Sequence, residues 1–211
     1  MSYQEWLSTT KISFQNARKT GIQLTANIIG QTLFEDDLYI MSLIDKCIRL
    51  IDGFLDMLDS RNLTCAGVLL RIQIDNCLRT YALYLADNKL DVFQSIRNNE
   101  IQINKLLTKD GSRMTDAYLR KQLAKVDKRF DSVYKEASGF IHHSEKAFFT
   151  MVSAKEPYML TFNVGYPIYD DLNPVLYECA DAFLYFVKFQ YELTRPFVES
   201  KKRIDGEATL K

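Results

Sequence analysis

The chain has 211 residues, 47% hydrophobic and 26% charged, which is the ordinary globular range and enough to bury a single core. Its 27 Lys and Arg balance 27 Asp and Glu, which excludes a general polyanion-coating surface and leaves only local charged patches. Eight Gly and four Pro are too few for many short strands and turns, so the expected class is all-α.

At the front, Ser2 and Glu5 stand at capping-box spacing, and 1–33 reads as an N-terminal helical segment with Gly21 as an interruption. Over 34–59, Leu38, Met41, Ile44, Ile48, Ile51, Leu55 and Leu58 recur at steps of three and four, which predicts a long amphipathic helix. After the SRN break at 60–62, residues 63–86 are apolar nearly all the way round, the pattern of a central helix. A shorter helix over 91–107 leads to TKDGS at 108–112, the clearest turn signal in the chain.

Thr115 and Asp116 open the next helix, whose stripe of Leu119, Leu123, Val126, Phe130, Val133, Ala137 and Ile141 carries it to about His142. The period then changes to two. AFFTMV at 147–152 and YMLTFNV at 158–164, with SAKEP between them as the turn, predict one β-hairpin within 147–165. Asn173 and Pro174 form an N-cap and first turn, and Leu176, Ala180, Phe183, Val187 and Tyr191 face the core of a last helix. That helix is expected to stop before Arg195–Pro196, leaving 197–211 as a fraying polar tail. The expected architecture is an all-α helical bundle of about six helices over 34–196, with the hairpin inserted in the C-terminal third.

The N-terminal MSYQEWLSTTKISFQ lacks a basic segment followed by an apolar run, and no stretch is apolar for the length a spanning helix needs. A cytoplasmic protein without a membrane partner is therefore expected. Cys47, Cys65, Cys77 and Cys179 lie in helical text without CxxC spacing and read as small buried hydrophobes. Charge is sorted along the chain: 34–59 holds seven acids against two bases, and 113–135 holds seven bases against three acids. These faces are either solvated and paired within the bundle or across a dimer, or, for 113–135, a phosphate-facing surface.

Polar residues inside helices that should be buried are the informative feature. Arg71 and Asp75 are four apart in the most apolar helix and can pair on one face. Tyr134, Ser138 and His142 are also spaced by four and form a polar edge, with His143 adjacent and Gly139 permitting close approach. If the two helices pack together, these groups could meet a phosphate: His142 exchanging a proton, Arg71 neutralising charge and Asp75 orienting either. The other reading is a satisfied core network, with Arg71 and Asp75 as a buried ion pair and the histidines merely ending a helix. No metal and no cofactor is expected, because adjacent histidines on a helix point about 100° apart and nucleotide-binding glycine loops and a G-x-S-x-G elbow are absent.

RIQIDNCLRTYALYL at 71–85, YKEASGFIHHS at 134–144, and a hairpin and closing helix after them resemble the HEPN-like helical-bundle superfamily of prokaryotes. The resemblance covers about 34–195 and rests on short motifs. It implies an all-helical, often dimeric protein of toxin, abortive-infection or stress systems, many of which cut RNA without a metal, sometimes with a protein partner. By that analogy His142 would act as general acid or base and Arg71 would bind phosphate. The chain departs from the superfamily's ribonuclease signature, an Arg a few residues ahead of a His on one helix. Here the nearest upstream Arg is Arg129, with twelve residues between it and His142.

Overall fold

The structure, a computed structural model, describes residues 2–97, 102–142, 148, 151–156, 159–165 and 167–208. Seven α-helices occur among them, as an all-α bundle: α1 (Tyr3–Ile29), α2 (Glu35–Asp59), α3 (Leu63–Leu85), α4 (Lys89–Arg97), α5 (Asp116–Val126), α6 (Arg129–Ile141) and α7 (Asn173–Ala208). An antiparallel ribbon of β1 (Val152–Glu156) and β2 (Met159–Phe162) precedes α7. Short 3₁₀ turns lie at Ile103–Lys105 and Asp170–Leu172. None of the described helices is long and apolar enough to cross a membrane.

Helix α3 is the axis, as its all-round apolar text predicts: α2, α5, α6 and α7 all pack against it. The N-terminal helix shares the same core. Phe14 of α1, Phe54 of α2 and Phe183 of α7 stack with centroids 5.6 Å apart for the first pair and 4.0 Å for the last two. Each such pair adds about 1 kcal/mol to the burial of its rings. The capping box that starts α1 is made: Ser2 N–H donates to Glu5 at 2.7 Å, and Glu5 N–H donates to Ser2 Oγ at 3.3 Å. Gly21 does not interrupt α1. It is buried within the helix, where a Cβ would collide with the Tyr191 hydroxyl of α7.

Besides Gly21, four expectations about the elements need correction. The single helix predicted from Thr115 to His142 is two, because Asp127 leaves helical conformation at φ −142°, ψ 114°. Its carboxylate accepts the N–H of Arg129 at 2.9 Å and the Tyr185 hydroxyl, an Asx turn that competes with helix continuation. The helix predicted over 91–107 is α4 followed by a separate 3₁₀ turn, with 98–101 outside the described residues. In the hairpin, SAKE is not the turn but most of β1, and pairing runs from Val152↔Phe162 to Glu156↔Met159. Of the run predicted as its first strand, 147, 149 and 150 lie outside the described residues, and Val152 begins β1.

The fourth correction is the largest. Helix α7 does not stop before Arg195–Pro196 but continues to Ala208. Pro196 removes one helical N–H and would leave the Glu192 carbonyl without its helical donor. Packing carries the helix past it. The Tyr84 hydroxyl donates to the neighbouring Leu193 carbonyl, the Tyr84 and Phe197 rings meet edge-on at 5.1 Å, and Val198 is buried. One turn on, the Lys201 side chain is only 2% exposed and pairs with Asp37 at 2.5 Å. It also donates to the Thr32 carbonyl and lies 4.5 Å from the centre of the Phe34 ring. The supposed polar tail therefore clamps the α1–α2 connection.

Three cysteines, Cys47, Cys77 and Cys179, are buried as expected, whereas Cys65 is exposed because it falls in the first turn of α3, next to the Asn62 cap. All four are free thiols, and burial pushes Cys47 and Cys179 up to about 12, which leaves them poor nucleophiles at neutral pH.

Candidate functional site

The helices that carry the two polar motifs, α3 and α6, pack directly against each other. The contact is close because Gly67 of α3 has no side chain where the Phe140 ring of α6 lies, and a Cβ there would overlap the ring. This fit sets the distance at which a side chain of α3 can reach across to α6.

Arg71 reaches across. Its Nε donates to Ser138 Oγ at 3.2 Å, its Nη2 donates to the Tyr134 hydroxyl, and its Nη1 is ion-paired with Asp75 one turn along α3. Its Cζ also lies 3.7 Å from the centre of the Tyr134 ring. Ser138 passes its own proton back to the Tyr134 carbonyl at 2.7 Å, so the hydroxyl has only acceptor capacity left for Arg71. The sequence-derived quartet Arg71, Asp75, Tyr134 and Ser138 is thus one bonded cluster. Its centre is buried and its rim is open: the Arg71 side chain is 10% exposed and that of Asp75 31%.

His142 is not part of that cluster. It is the residue at which α6 ends, with extended backbone, its N–H bonded to the Ser138 carbonyl at 3.3 Å and its side chain exposed. Its ring makes no hydrogen bond with the quartet. His143 lies outside the described residues. Among the described residues, no group of three His, Cys, Asp or Glu side chains could hold a metal ion.

Residues that the sequence reading passed over complete the picture. Arg120 of α5 lies 4.7 Å from the centre of the same Tyr134 ring and pairs with Asp131 of α6 at 3.1 Å, tying the split helices together over the cluster. The Lys135 hydrogen bond, together with the charges of Lys135 and Arg120, holds the Asp131 carboxyl below its ordinary range. Deeper in, fully buried Gln73, Asn76 and Gln190 share bonds of 2.8 and 3.0 Å and cap the Leu43 carbonyl. Amides at buried positions of an otherwise apolar helix were a readable signal for this second network.

The sorted charges divide. Acids of α2 pair with bases of α1, as in Lys11–Asp59 at 2.5 Å and Arg18–Asp52 at 2.9 Å, not with the basic segment 113–135. On that segment Arg113, Lys121, Lys125 and Lys128 are exposed and have no carboxylate partner among the described residues. A cleft of about 590 Å³ opens elsewhere, between the turn at 60–64 and the chain leaving β2. Arg61 on its wall donates to Asp170 at 2.7 Å and Asn173 at 2.8 Å, and none of the residues selected from sequence lines it.

Comparison with protein-family models, with curated proteins and with solved structures finds no match.

Proposed function

We propose that the protein is a HEPN-like helical interaction or ligand-binding module of the cytoplasm, in which the Arg71 cluster holds α3 to α6 and performs no chemistry. The observation that carries this reading is where the Arg71 guanidinium points: Nε and Nη2 donate to Ser138 and Tyr134, and Nη1 is ion-paired with Asp75 outside hydrogen-bond geometry, all within the α3–α6 contact. A guanidinium that must stabilise a phosphoryl group needs donors aimed at open space. His142, the group that would move a proton, stands at the exposed end of α6 instead.

The test is a pair of variants. Arg71→Ala strands Asp75, Tyr134 and Ser138 and is expected to cost about 3 kcal/mol, read as a melting temperature lower by roughly 6–12 °C. His142→Ala is expected to melt as the native chain does, and neither protein degrades a mixed RNA pool. RNA cleavage by the native chain that disappears in His142→Ala without loss of stability overturns the reading.

A second reading, an RNA-directed HEPN-like effector of a prokaryotic defence or stress system, is favoured by one observation: Arg113, Lys121, Lys125 and Lys128 are exposed and have no carboxylate partner among the described residues. It requires RNA binding that weakens steeply with salt and is lost when Lys121, Lys125 and Lys128 are reversed in charge.

A further inference from the structure

We infer that the cleft between the turn at 60–64 and the chain leaving β2 binds a small monocarboxylate with an apolar body, its carboxylate on the Arg61 guanidinium and its body against Leu63, Met151 and Ile168. The inference rests on the reading of the chain as a ligand-binding module and names the class of ligand, but it uses no residue of the Arg71 cluster.

The walls of the cleft are tied together by backbone bonds. At Arg61 the backbone is left-handed, with φ +52°, and the chain passes there from the end of α2 to the Asn62 cap of α3. The Arg61 carbonyl accepts the Ile168 N–H at 3.4 Å, and the Asn163 N–H donates to the Met151 carbonyl at 2.8 Å. The Asn163 side chain donates in turn to the Pro167 carbonyl. These bonds bound a space of about 590 Å³, within the range of about 300–1,000 Å³ typical of small-molecule pockets.

The polar lining suits an anion. Arg61 is the one charged residue among the described lining residues, and none of them is an acid. Of the guanidinium nitrogens only Nη2 is engaged, donating to Asp170 at 2.7 Å and Asn173 at 2.8 Å. Nη1 makes no hydrogen bond among the described residues, and Nε is buried without one. The Asp170 side chain is 86% exposed, so its pair with Arg61 is solvated and weak, and the guanidinium can take a second carboxylate on Nη1. Asp170 also limits the charge of the ligand: one more negative charge can share the guanidinium, whereas a phosphate dianion meets stronger repulsion from the carboxylate already there.

The remaining lining selects for an apolar body. Leu63, Met151, Val164, Pro167 and Ile168 supply it, with Leu63 and Ile168 buried and Val164 and Pro167 open. A ligand that is polar throughout gains nothing from covering these side chains, whereas an alkyl or aromatic group gains in proportion to the apolar area it removes from water.

Isothermal titration calorimetry on the full chain tests this with three probes that share one alkyl body: octanoate, 1-octanol and octyl phosphate. Octanoate is expected to bind once per chain with a dissociation constant below about 1 mM, and the other two at least about tenfold more weakly. Val164→Asp is expected to melt as the native chain does, since Val164 is 69% exposed, and to weaken octanoate at least about tenfold by placing a like charge in the cleft. Asp170→Asn is expected to tighten octanoate about threefold by removing the competing carboxylate, a change that a purely structural Arg61 would not give. Arg61→Gln is expected to lose the preference for octanoate over 1-octanol. Four results overturn the proposal: no octanoate binding, 1-octanol binding as tightly, octyl phosphate binding more tightly, or octanoate binding that Val164→Asp leaves unchanged. The melting temperatures of Arg71→Ala and His142→Ala and the RNA assay do not enter this test, so the reading of the Arg71 cluster can fail or stand separately.

Discussion

Among the described residues two cations, Arg71 and Lys201, are buried, and they are held in different ways. Arg71 lies in the middle of the most apolar helix and spreads its charge over a carboxylate, a phenol and a serine from two helices. Lys201 lies in the last turns of α7 and places a compact ammonium between one carboxylate and the Thr32 carbonyl. The planar guanidinium acts as a cross-brace, while the ammonium acts as a plug. The difference in partner exposure sets their worth: the Asp75 side chain is 31% exposed and that of Asp37 only 11%. When Arg71 is removed, Asp75 can turn toward water. Asp37 has much less room to do so.

The sharpest break of this comparison is Lys201→Met, which fills similar volume but leaves Asp37 charged and the Thr32 carbonyl without its donor. The expected loss is about 4 kcal/mol, larger than that for Arg71→Ala, because an unpaired charge remains at a buried position. Denaturant unfolding measures it. Adding Asp37→Asn to Lys201→Met is expected to restore a large part of the loss. If the single variant is no less stable than Arg71→Ala, partner exposure is not what separates the two sites.

The same two residues show what was legible in the sequence. Arg71 stood out because it interrupts apolar text, and the i, i+4 partners of both motifs were readable from helical spacing alone. Lys201 was invisible for the opposite reason: it sits among Lys202, Arg203 and Asp205 after a proline, where local rules predict a frayed end. Only the long-range contacts of Tyr84, Phe197 and Asp37 override those rules, and no local pattern encodes them. The amphipathic stripes of α2, α5, α6 and α7 were readable because burial imposes their period, although Leu38, Val126 and Ile141, each in an end turn of its helix, are exposed. The break at Asp127 was missed because the apolar stripe continues in phase across it, and the Asx turn depends on Tyr185, far along the chain.

That break offers a second way to sharpen the comparison, since the brace around Arg71 depends on how α6 is aimed. Asp127 is held by Arg129, which draws its carboxyl below the ordinary range, and by the Tyr185 hydroxyl. Asp127→Ala removes the Asx turn and is expected to cost about 1–2 kcal/mol, the range for losing a helix-starting side chain. If α6 is re-aimed, the effects of Asp127→Ala and Arg71→Ala fall short of additivity in a double-mutant cycle. Lys201→Met, at a separate contact, is expected to add to Asp127→Ala without coupling.

The smallest effect concerns the turn that delivers the chain from the α3–α4 side to α5. The Thr108 hydroxyl, the Ser112 backbone and side chain and the Tyr118 hydroxyl stabilise the ionised Asp110 carboxylate, with Ser112 N–H at 3.2 Å and Tyr118 at 3.1 Å, and lower it from 3.8 to about 2. Gly111, at φ +79°, supplies the left-handed step that closes the turn. A carboxyl depressed on folding contributes stability that is complete above its unfolded value and is lost as pH falls through its folded value. The contribution of Asp110 is therefore expected to be whole above about pH 4 and gone near pH 2. Asp127 and Asp131 are lowered in the same direction, so the acid limb of the native protein mixes all three. The difference between native and Asp110→Asn isolates the turn: unfolding free energies diverge above pH 4 and converge as pH falls. A gap of constant size down to pH 2 would show that the turn is held by Gly111 and the backbone bonds of Thr108, with the Asp110 charge contributing nothing.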